Sequence, residues 1–308
     1  MNELKQFIDY IAVEKQYSRR TVEAYQKDVR SFYVFLGETE ETFDPHKPDE
    51  GDIKCWMLGM MERGNKPRSI KRRLSSLSSF YRFMLKQGIT ERDITRKVIS
   101  PKVDKPLPVF FRPSEMDAVT AYDADADDYR SMRNCLVIEL LYQTGMRQAE
   151  LLGLKDRDVD IVTRQIRIFG KRKKERIVPI GANLAAQIAT FRVVRDEWRL
   201  VPTHRRFVHN PEVLIDLTRN TLYNIVCARM SEVSTLKKHS PHVLRHTFAT
   251  AMLNNGANIR AIQSLLGHAS LQTTQVYAHT TFDQVKAVYA AAHPRARKQQ
   301  PAPHNDKR

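Results

Sequence analysis

A proline-rich segment divides this chain into two predicted domains. Residues 100–108 read SPKVDKPLP, with three prolines in nine positions. Proline has no backbone N–H to give to a helix, and the charged residues between the prolines favour a solvated linker. We therefore expect one domain over residues 1–100, a linker at 101–108 and a second domain over 109–296. Residues 297–308 are expected to form a disordered basic tail.

The first domain is predicted to be a bundle of helices. Apolar residues recur every three or four positions between Leu4 and Ile11, the spacing that places them on one helix face. Ser18 is a typical cap for a second helix, and a third helix is expected over residues 52–63. Pro67 suits the first turn of a fourth helix.

The second domain is predicted to mix helices with a small sheet. A helix is expected to begin at a capping Ser114, and an apolar helix covers residues 134–144. Three short β-rich runs follow, and helices resume near residue 183. The predicted strands are residues 160–162, 165–169 and 176–180. The basic turn at 170–175 would then lie at the tip of a hairpin.

Charge indicates a polyanionic partner. The chain has 51 Lys+Arg against 35 Asp+Glu, a formal net charge of +16. The positive charge recurs in blocks, at residues 68–73, 171–174 and 295–298, which favours nucleic acid over a merely soluble basic protein. Basic and small polar side chains on one face of the fourth helix suit phosphate contacts, although an ordinary solvated face fits them equally well.

The cysteines and the apolar runs exclude other classes of protein. Cys55, Cys135 and Cys227 are an odd number, far apart and without CxxC spacing, so neither a disulfide framework nor a zinc site is predicted. No apolar run approaches the length of a membrane span, and the N-terminus has no apolar signal region. We therefore expect a cytoplasmic protein without a membrane anchor.

Two basic side chains are candidates for chemistry on a phosphodiester, one to bind the phosphate and one to protonate the leaving oxygen. Arg147 follows a predicted helix end at Gly145, and its planar guanidinium matches two phosphate oxygens. Taken alone, it is better explained as a surface ion pair with Glu150. Lys171 lies at the hairpin tip, where it could reach a leaving oxygen. Taken alone, it is better explained as part of a solvated charged turn, because Lys173 and Lys174 are so close.

The last quarter of the chain concentrates the remaining chemistry. His242 and Arg245 share one face of a helix that begins at Ser240-Pro241. His246 lies one turn from His242, but no third ligand is evident, so no metal is predicted. His268 after a glycine and Tyr277 in a helix are each most often structural. Taken together, these residues fit chemistry on a phosphodiester. Arginines would hold the phosphate, histidines would move or share protons, and a tyrosine would attack phosphorus.

Several motifs resemble the tyrosine recombinases, also called the phage-integrase family, and are most similar to the bacterial Xer type. The resemblance covers nearly the whole chain, including residues 69–83 in the first domain. The motifs in the second domain are TGMRQAELLGL (144–154), GKRKKERIVPI (170–180), SPHVLRHTFAT (240–250), LLGHASLQTTQVYAH (265–279) and AVYAAAHPRA (287–296). The resemblance implies a mainly α fold: a helical, SAM-like core-binding domain and an α+β catalytic domain with a three-stranded antiparallel sheet.

The resemblance also implies a role for each chemical residue. Arg147 and Arg245 would clamp the scissile phosphate, and Lys171 would protonate the departing 5′-hydroxyl. His242 would act in proton transfer, His268 would bond the phosphate, and Tyr277 would be the nucleophile that forms a 3′-phosphotyrosyl link. No metal or cofactor is required, and Glu150 and His246 would be structural. The residues assigned to DNA contact are Arg68, Lys71, Arg72, Arg73, Lys173 and Lys174.

The implied partners are double-stranded DNA and further recombinase subunits. Four chains would exchange strands through a Holliday junction, as a homotetramer or as a heterotetramer with a second Xer-type recombinase. The segment 282–291 would dock on a neighbouring subunit or pack on its own domain. Chromosome dimer resolution is the expected role, and integration of a mobile element is the alternative. A non-catalytic DNA-binding protein and a topoisomerase-like enzyme on the same scaffold are further alternatives.

Overall fold

The computed structural model describes residues 3–103, 109–120, 128–170, 175–236, 238–267 and 282–297. The chain divides into two compact units, Met1–Pro106 and Leu107–Arg308. Within the described ranges, no helix has both the length and the apolar character needed to cross a membrane.

Four α-helices and a short π-helical turn build the first unit. Ser18 caps the second helix by accepting a hydrogen bond from the Thr21 N–H, as predicted. The third helix begins two residues before its predicted start because Asp49 and Asp52 form a reciprocal capping box. The elements are α1 (Glu3–Asp9), the π-turn (Tyr10–Glu14), α2 (Arg19–Leu36), α3 (Glu50–Glu62) and α4 (Pro67–Lys86).

The core of the first unit is aromatic. Phe7, Phe32, Trp56 and Phe80 are fully buried where the apolar faces of the four helices meet. Each such side chain contributes about 1.5–3 kcal/mol of hydrophobic stabilisation. This burial fixes α4 against α2, so that the opposite face of α4 is left to the solvent.

The second unit is mainly helical, and two helices begin earlier than predicted. The helix placed at Ser114 begins at Pro113, and the Glu115 carboxylate accepts the Arg112 N–H at 2.6 Å in place of a serine cap. The apolar helix begins at Tyr129 rather than at 134, because Asp128 caps it and its polar first turn hides it from the apolar pattern. The helices are α5 (Pro113–Thr120), α6 (Tyr129–Thr144), α7 (Gln148–Leu152), α8 (Ala182–Leu200), α9 (Arg219–Val233), α10 (Pro241–Asn254), α11 (Ile259–Leu266), α12 (Phe282–Ala292) and α13 (Pro294–Arg297), with short 3-10 turns at Asp156–Asp158 and Pro202–Phe207.

The second unit also holds the predicted three-stranded antiparallel sheet, in the order β1-β2-β3. The strands are β1 (Val159–Asp160), β2 (Gln165–Phe169) and β3 (Glu175–Pro179). The first strand was predicted over 160–162, which is wrong. The Asp160 carboxylate accepts the N–H groups of Val162 and Thr163, and Arg164 has a φ of +54°, so these residues form the turn.

A glycine at the end of α6 brings three helices together. Gly145 ends α6 in the left-handed conformation, with a φ of +58°. A Cβ at this position would lie 2.6 Å from Phe248 on α10 and 2.8 Å from Leu266 on α11. Only glycine therefore lets the chain turn here against α10 and α11, immediately before Arg147.

The C-terminal helix packs on its own unit in this single chain. Val285, Tyr289 and Ala292 of α12 are buried in the same core as α6 and α10. His293 follows, fully buried and stacked 4.9 Å from the Tyr289 ring. Burial lowers the pKa of His293 to about 3, so this imidazole is a neutral core residue.

Candidate active site

Arg147 lies at the start of α7, held by a carboxylate from the next turn. Its backbone N–H donates to Oε2 of Glu150 at 2.8 Å, and its Nη1 donates to Oε1 at 2.8 Å. The Arg147 side chain is 41% exposed, whereas that of Glu150 is 5% exposed. The surface ion pair considered from the sequence is therefore a buried carboxylate that fixes a partly exposed guanidinium.

A second arginine, to which sequence reasoning gave no role, holds the same carboxylate. Arg176 on β3 donates from Nη2 to Oε2 of Glu150 at 2.6 Å and from Nη1 to Oε1 at 3.2 Å. Its Nε donates to the Leu265 carbonyl at 2.7 Å. Arg176 and Glu150 are 26 residues apart, so helical or strand spacing gives no signal for their contact.

Arg245 on α10 is the third arginine of the group. It is 8% exposed, and its two terminal nitrogens donate to backbone carbonyls at Gly145 and, at 2.6 Å, Leu266. Arg245 therefore joins the end of α6 to the end of α11. We call Arg147, Glu150, Arg176 and Arg245 the site cluster; its three guanidinium groups and one carboxylate leave an excess of two positive charges.

The excess charge is visible in the ionisation of the cluster. Burial alone would raise the pKa of Glu150, but hydrogen bonds from Arg176 and Arg147 lower it overall, so the carboxylate stays charged. Burial, together with repulsion by Arg147 and Arg176, lowers the pKa of Arg245 to about 10. The repulsion that Arg147 and Arg176 exert on Arg245 is a condition that a bound anion would relieve.

His242 lies on the same helix as Arg245 and is the exposed residue of an otherwise buried first turn. Burial and the positive groups around it, including His246 and Arg245, lower its pKa, which favours the neutral imidazole near pH 7. The opposite face of α10 is core: Val243, Leu244, Phe248 and Met252 are buried. Ser240 occupies the cap position of α10, but its hydroxyl makes no cap hydrogen bond.

The remaining predicted site residues lie outside the described residues. They are Lys171, Lys173, Lys174, His268 and Tyr277. The elements next to them are described: β2 ends at Phe169, β3 begins at Glu175, and Gly267 ends α11 in the left-handed conformation. Arg176 and Arg245 thus hold elements that lead directly into residues 171–174 and 268–281.

The basic residues of α4 are of two kinds, those that point to solvent and those that bind a buried carboxylate. Arg68 and Lys71 are exposed, as expected of residues that contact phosphate. Arg72 instead donates through both terminal nitrogens to the buried carboxylate of Asp28, one bond being 2.8 Å, and Arg73 lies 3.9 Å from it. An aspartate inside the apolar face of α2 was the available signal for this contact.

The geometry describes a site for an anion of phosphate type. Arg147 and Arg176 share the single carboxylate of Glu150, and both repel the nearby Arg245. Guanidinium donors in this arrangement stabilise oxygens that gain charge. In the part of the chain that the structure describes, no group of three or more His, Cys, Asp and Glu side chains could hold a metal ion.

Comparison with protein families assigns both units. The model of the phage integrase family matches residues 110–284, and that of the phage integrase N-terminal SAM-like domain matches residues 4–88. A tyrosine recombinase XerC of Chlorobaculum parvum is 33% identical, over 95% of this chain and 94% of its own length. A tyrosine recombinase XerD of Listeria monocytogenes is 33% identical, over 96% of this chain and all of its own.

Solved structures agree on the fold. The integrase of the transposon Tn1549, solved with transposon right-end DNA, superposes with a TM-score of 0.64 at 22% identity, over 93% of this chain and 98% of that one. The phage integrase model, over residues 110–284, covers all four residues of the site cluster. The chain therefore belongs to the phage integrase family and is a tyrosine-type, site-specific DNA recombinase.

Proposed function

We propose that the site cluster binds the scissile phosphate of a DNA strand and that Tyr277 attacks it. The observation that carries the proposal is the excess of two positive charges around Glu150. A phosphodiester has one negative charge, and a second develops as the tyrosine oxygen adds to phosphorus. Arg147 and Arg245 would meet that developing charge in a preorganised pocket, which is the usual source of the largest rate effects.

The proposed reaction is a transfer of the phosphoryl group without loss of bond energy. The Tyr277 oxygen forms a bond to phosphorus while the bond from phosphorus to the 5′-oxygen breaks. Lys171 would give a proton to that leaving oxygen, and His242, neutral near pH 7, would take part in moving the tyrosine proton. His268 would bond the phosphate. The free 5′-hydroxyl of a partner strand would then reverse the step, so no cofactor is consumed.

Chromosome dimer resolution is the cellular role that we propose. Its support is the match to recombinases named XerC and XerD over at least 94% of their length. Such a role places the protein in the cytoplasm, at the nucleoid, acting on double-stranded DNA as a homotetramer or as a heterotetramer with a second Xer-type recombinase. The exposed basic residues of α4, together with Lys173 and Lys174, would contact phosphates of the DNA.

Covalent capture on a nicked suicide DNA tests the proposal. The protein and its Tyr277→Phe variant are incubated without metal with a duplex that carries the candidate site, and a protein–DNA adduct is sought on a denaturing gel. An adduct that forms with the wild type and is lost in the variant is expected. An adduct that persists in Tyr277→Phe would contradict the assigned nucleophile.

The same duplex tests the subunit composition. Recombination by the purified chain alone would support the homotetramer. Recombination only after addition of the second Xer-type recombinase from the same genome would support the heterotetramer. Recombination of the ends of a mobile element, but not of a chromosomal site, would contradict the role in dimer resolution.

A further inference from the structure

We propose that Arg176 is a positioning and charge-balancing residue of this recombinase. It would neutralise Glu150, so that Arg147 keeps its charge for the phosphate, and it would hold the end of α11 beside the cluster. The inference rests on the phosphate-binding roles proposed above for Arg147 and Arg245. Arg176 itself would contact neither DNA nor the reacting atoms.

The contacts of Arg176 tie three elements together. It extends from β3, binds both oxygens of Glu150 on α7, and donates to the Leu265 carbonyl in the last turn of α11. Its side chain is 9% exposed, so these bonds are made away from water. Bidentate contact between a guanidinium and a carboxylate fixes orientation as well as distance, and lysine cannot reproduce it.

The end of α11 fits closely around Arg176. Gly267 adopts a φ of +62°, and a Cβ there would lie 3.2 Å from Nη1 of Arg176. The Leu265 carbonyl binds Arg176 and the Leu266 carbonyl binds Arg245, so two arginines satisfy the C-terminal carbonyls of this helix. Arg176 is therefore a determinant of where α11 ends.

The charge balance gives Arg176 its second role. Glu150 accepts two hydrogen bonds from Arg147, and a carboxylate that had only this partner would cancel the charge of Arg147. Arg176 supplies a second guanidinium to the same two oxygens. The carboxylate can then orient Arg147 while Arg147 and Arg245 together still present two positive charges to the phosphate.

The same unit contains a matched arginine without this role. Arg195 on α8 has a 5% exposed side chain, binds Asp156 at 2.6 Å and donates to the Leu214 carbonyl at 3.2 Å. Like Arg176, it joins a carboxylate to a backbone carbonyl from another segment. Among the described residues, Arg195 contacts no member of the site cluster, so Arg195→Gln controls for the loss of a buried, paired arginine.

The experiment compares Arg176→Gln, Arg176→Lys, Arg195→Gln and the double variant Glu150→Gln/Arg176→Gln in the suicide-DNA assay. The rate of adduct formation is measured at saturating DNA, alongside the dissociation constant for the DNA and the melting temperature. We expect Arg176→Gln to lower the rate by about 100-fold with little change in DNA affinity, and Arg176→Lys to lose about tenfold. The double variant also removes the carboxylate that would otherwise cancel the charge of Arg147, and should restore about tenfold relative to Arg176→Gln.

Two results would overturn the inference. One is a rate for Arg176→Gln, at a temperature where all variants are folded, that equals the rate for Arg195→Gln. The other is a double variant as slow as Arg176→Gln or slower, because a purely structural arginine gives no benefit when its partner is also removed. Failure of the wild type to form any adduct would instead overturn the proposed function, and this inference with it.

Discussion

Two arginine-rich clusters in the same unit show what separates an anion site from a structural ion network. The site cluster has three arginines around one carboxylate. The second cluster, which we call the support cluster, has Arg192, Arg195 and Arg199 of α8 around Asp156 and Asp196. Its arginines also donate to five backbone carbonyls. With two carboxylates for three arginines, the support cluster has an excess of one positive charge, against two in the site cluster.

The ionisation of the two buried arginines follows this difference. Burial alone would lower the pKa of Arg195, but Asp196 and Asp156 raise it overall. Burial also lowers the pKa of Arg245, and there the neighbouring Arg147 and Arg176 lower it further, to about 10. Two similarly buried arginines thus have pKa values shifted in opposite directions. Both clusters have three arginines, so we infer that the larger excess of positive charge around the buried Arg245 marks the place where an anion binds. Arg199, in the support cluster, also has a lowered pKa, which burial and the neighbouring Arg195 cause.

The strongest test of this comparison replaces one buried arginine of each cluster by lysine. Lysine keeps the charge but cannot hold two acceptors in the fixed geometry of a guanidinium. We expect Arg245→Lys to lower the rate of covalent cleavage by about 10²–10³-fold, the usual effect of losing one preorganised donor to a developing oxyanion. Arg195→Lys should lower the free energy of unfolding by about 3 kcal/mol and leave the cleavage rate of the folded protein unchanged.

Urea unfolding and single-turnover cleavage at saturating DNA separate the two effects. Both variants lose hydrogen bonds to backbone carbonyls, so both are expected to unfold at lower urea concentrations. A cleavage defect of equal size in Arg195→Lys would contradict the division into a site cluster and a support cluster.

A pH titration of stability tests whether Glu150 is as strongly held as the geometry indicates. Its pKa is lowered in the folded state, so it contributes stability that is present above the ordinary pKa of a glutamate and is lost as the pH falls through the lowered pKa. Glu150→Gln should lower the free energy of unfolding by about 3 kcal/mol near pH 7, because Arg147 and Arg176 lose their common partner. The free energy of unfolding should also fall less steeply with decreasing pH, because the glutamine has no carboxylate to protonate. Equal acid sensitivity in the wild type and the variant would contradict this.

Most of the fold could be predicted from the sequence because its signals are local. The left-handed glycine ends of α6 and α11, the serine cap of α2 and the hairpin strands β2 and β3 depend on residues a few positions apart. The boundaries that were wrong have local causes too. Asp49 and Asp128 cap helices whose first turns are polar, and apolar periodicity does not detect such turns.

The site was predicted only in part, because its geometry depends on long-range contacts. Arg147, Arg245 and His242 were recognised from motifs, and the structure places Arg147 and Arg245 around one carboxylate. Arg176 was missed because its partners, Glu150 and Leu265, are 26 and 89 residues away in sequence. Asp28, whose carboxylate holds Arg72 from 44 residues away, was missed for the same reason.

The first unit offers a smaller test of the same rule, because Arg72 of α4 binds a buried carboxylate, whereas Arg68 has no such partner among the described residues. Arg68→Gln should lower DNA affinity, reduce the slope of log affinity against log salt by about 1, and leave the melting temperature unchanged.

The matched variant is Arg72→Gln, which leaves the buried Asp28, 3% exposed, with Ser76 at 2.7 Å and the more distant Arg73. It should lower the free energy of unfolding by about 1 kcal/mol, a value discounted because Arg72 is half exposed. Its effect on the salt slope should be smaller than that of Arg68→Gln, since Arg72 must leave Asp28 to reach a phosphate. Equal slopes for the two variants would mean that an arginine with its own carboxylate still binds DNA fully, and the distinction between paired and excess arginines would then not extend beyond the second unit.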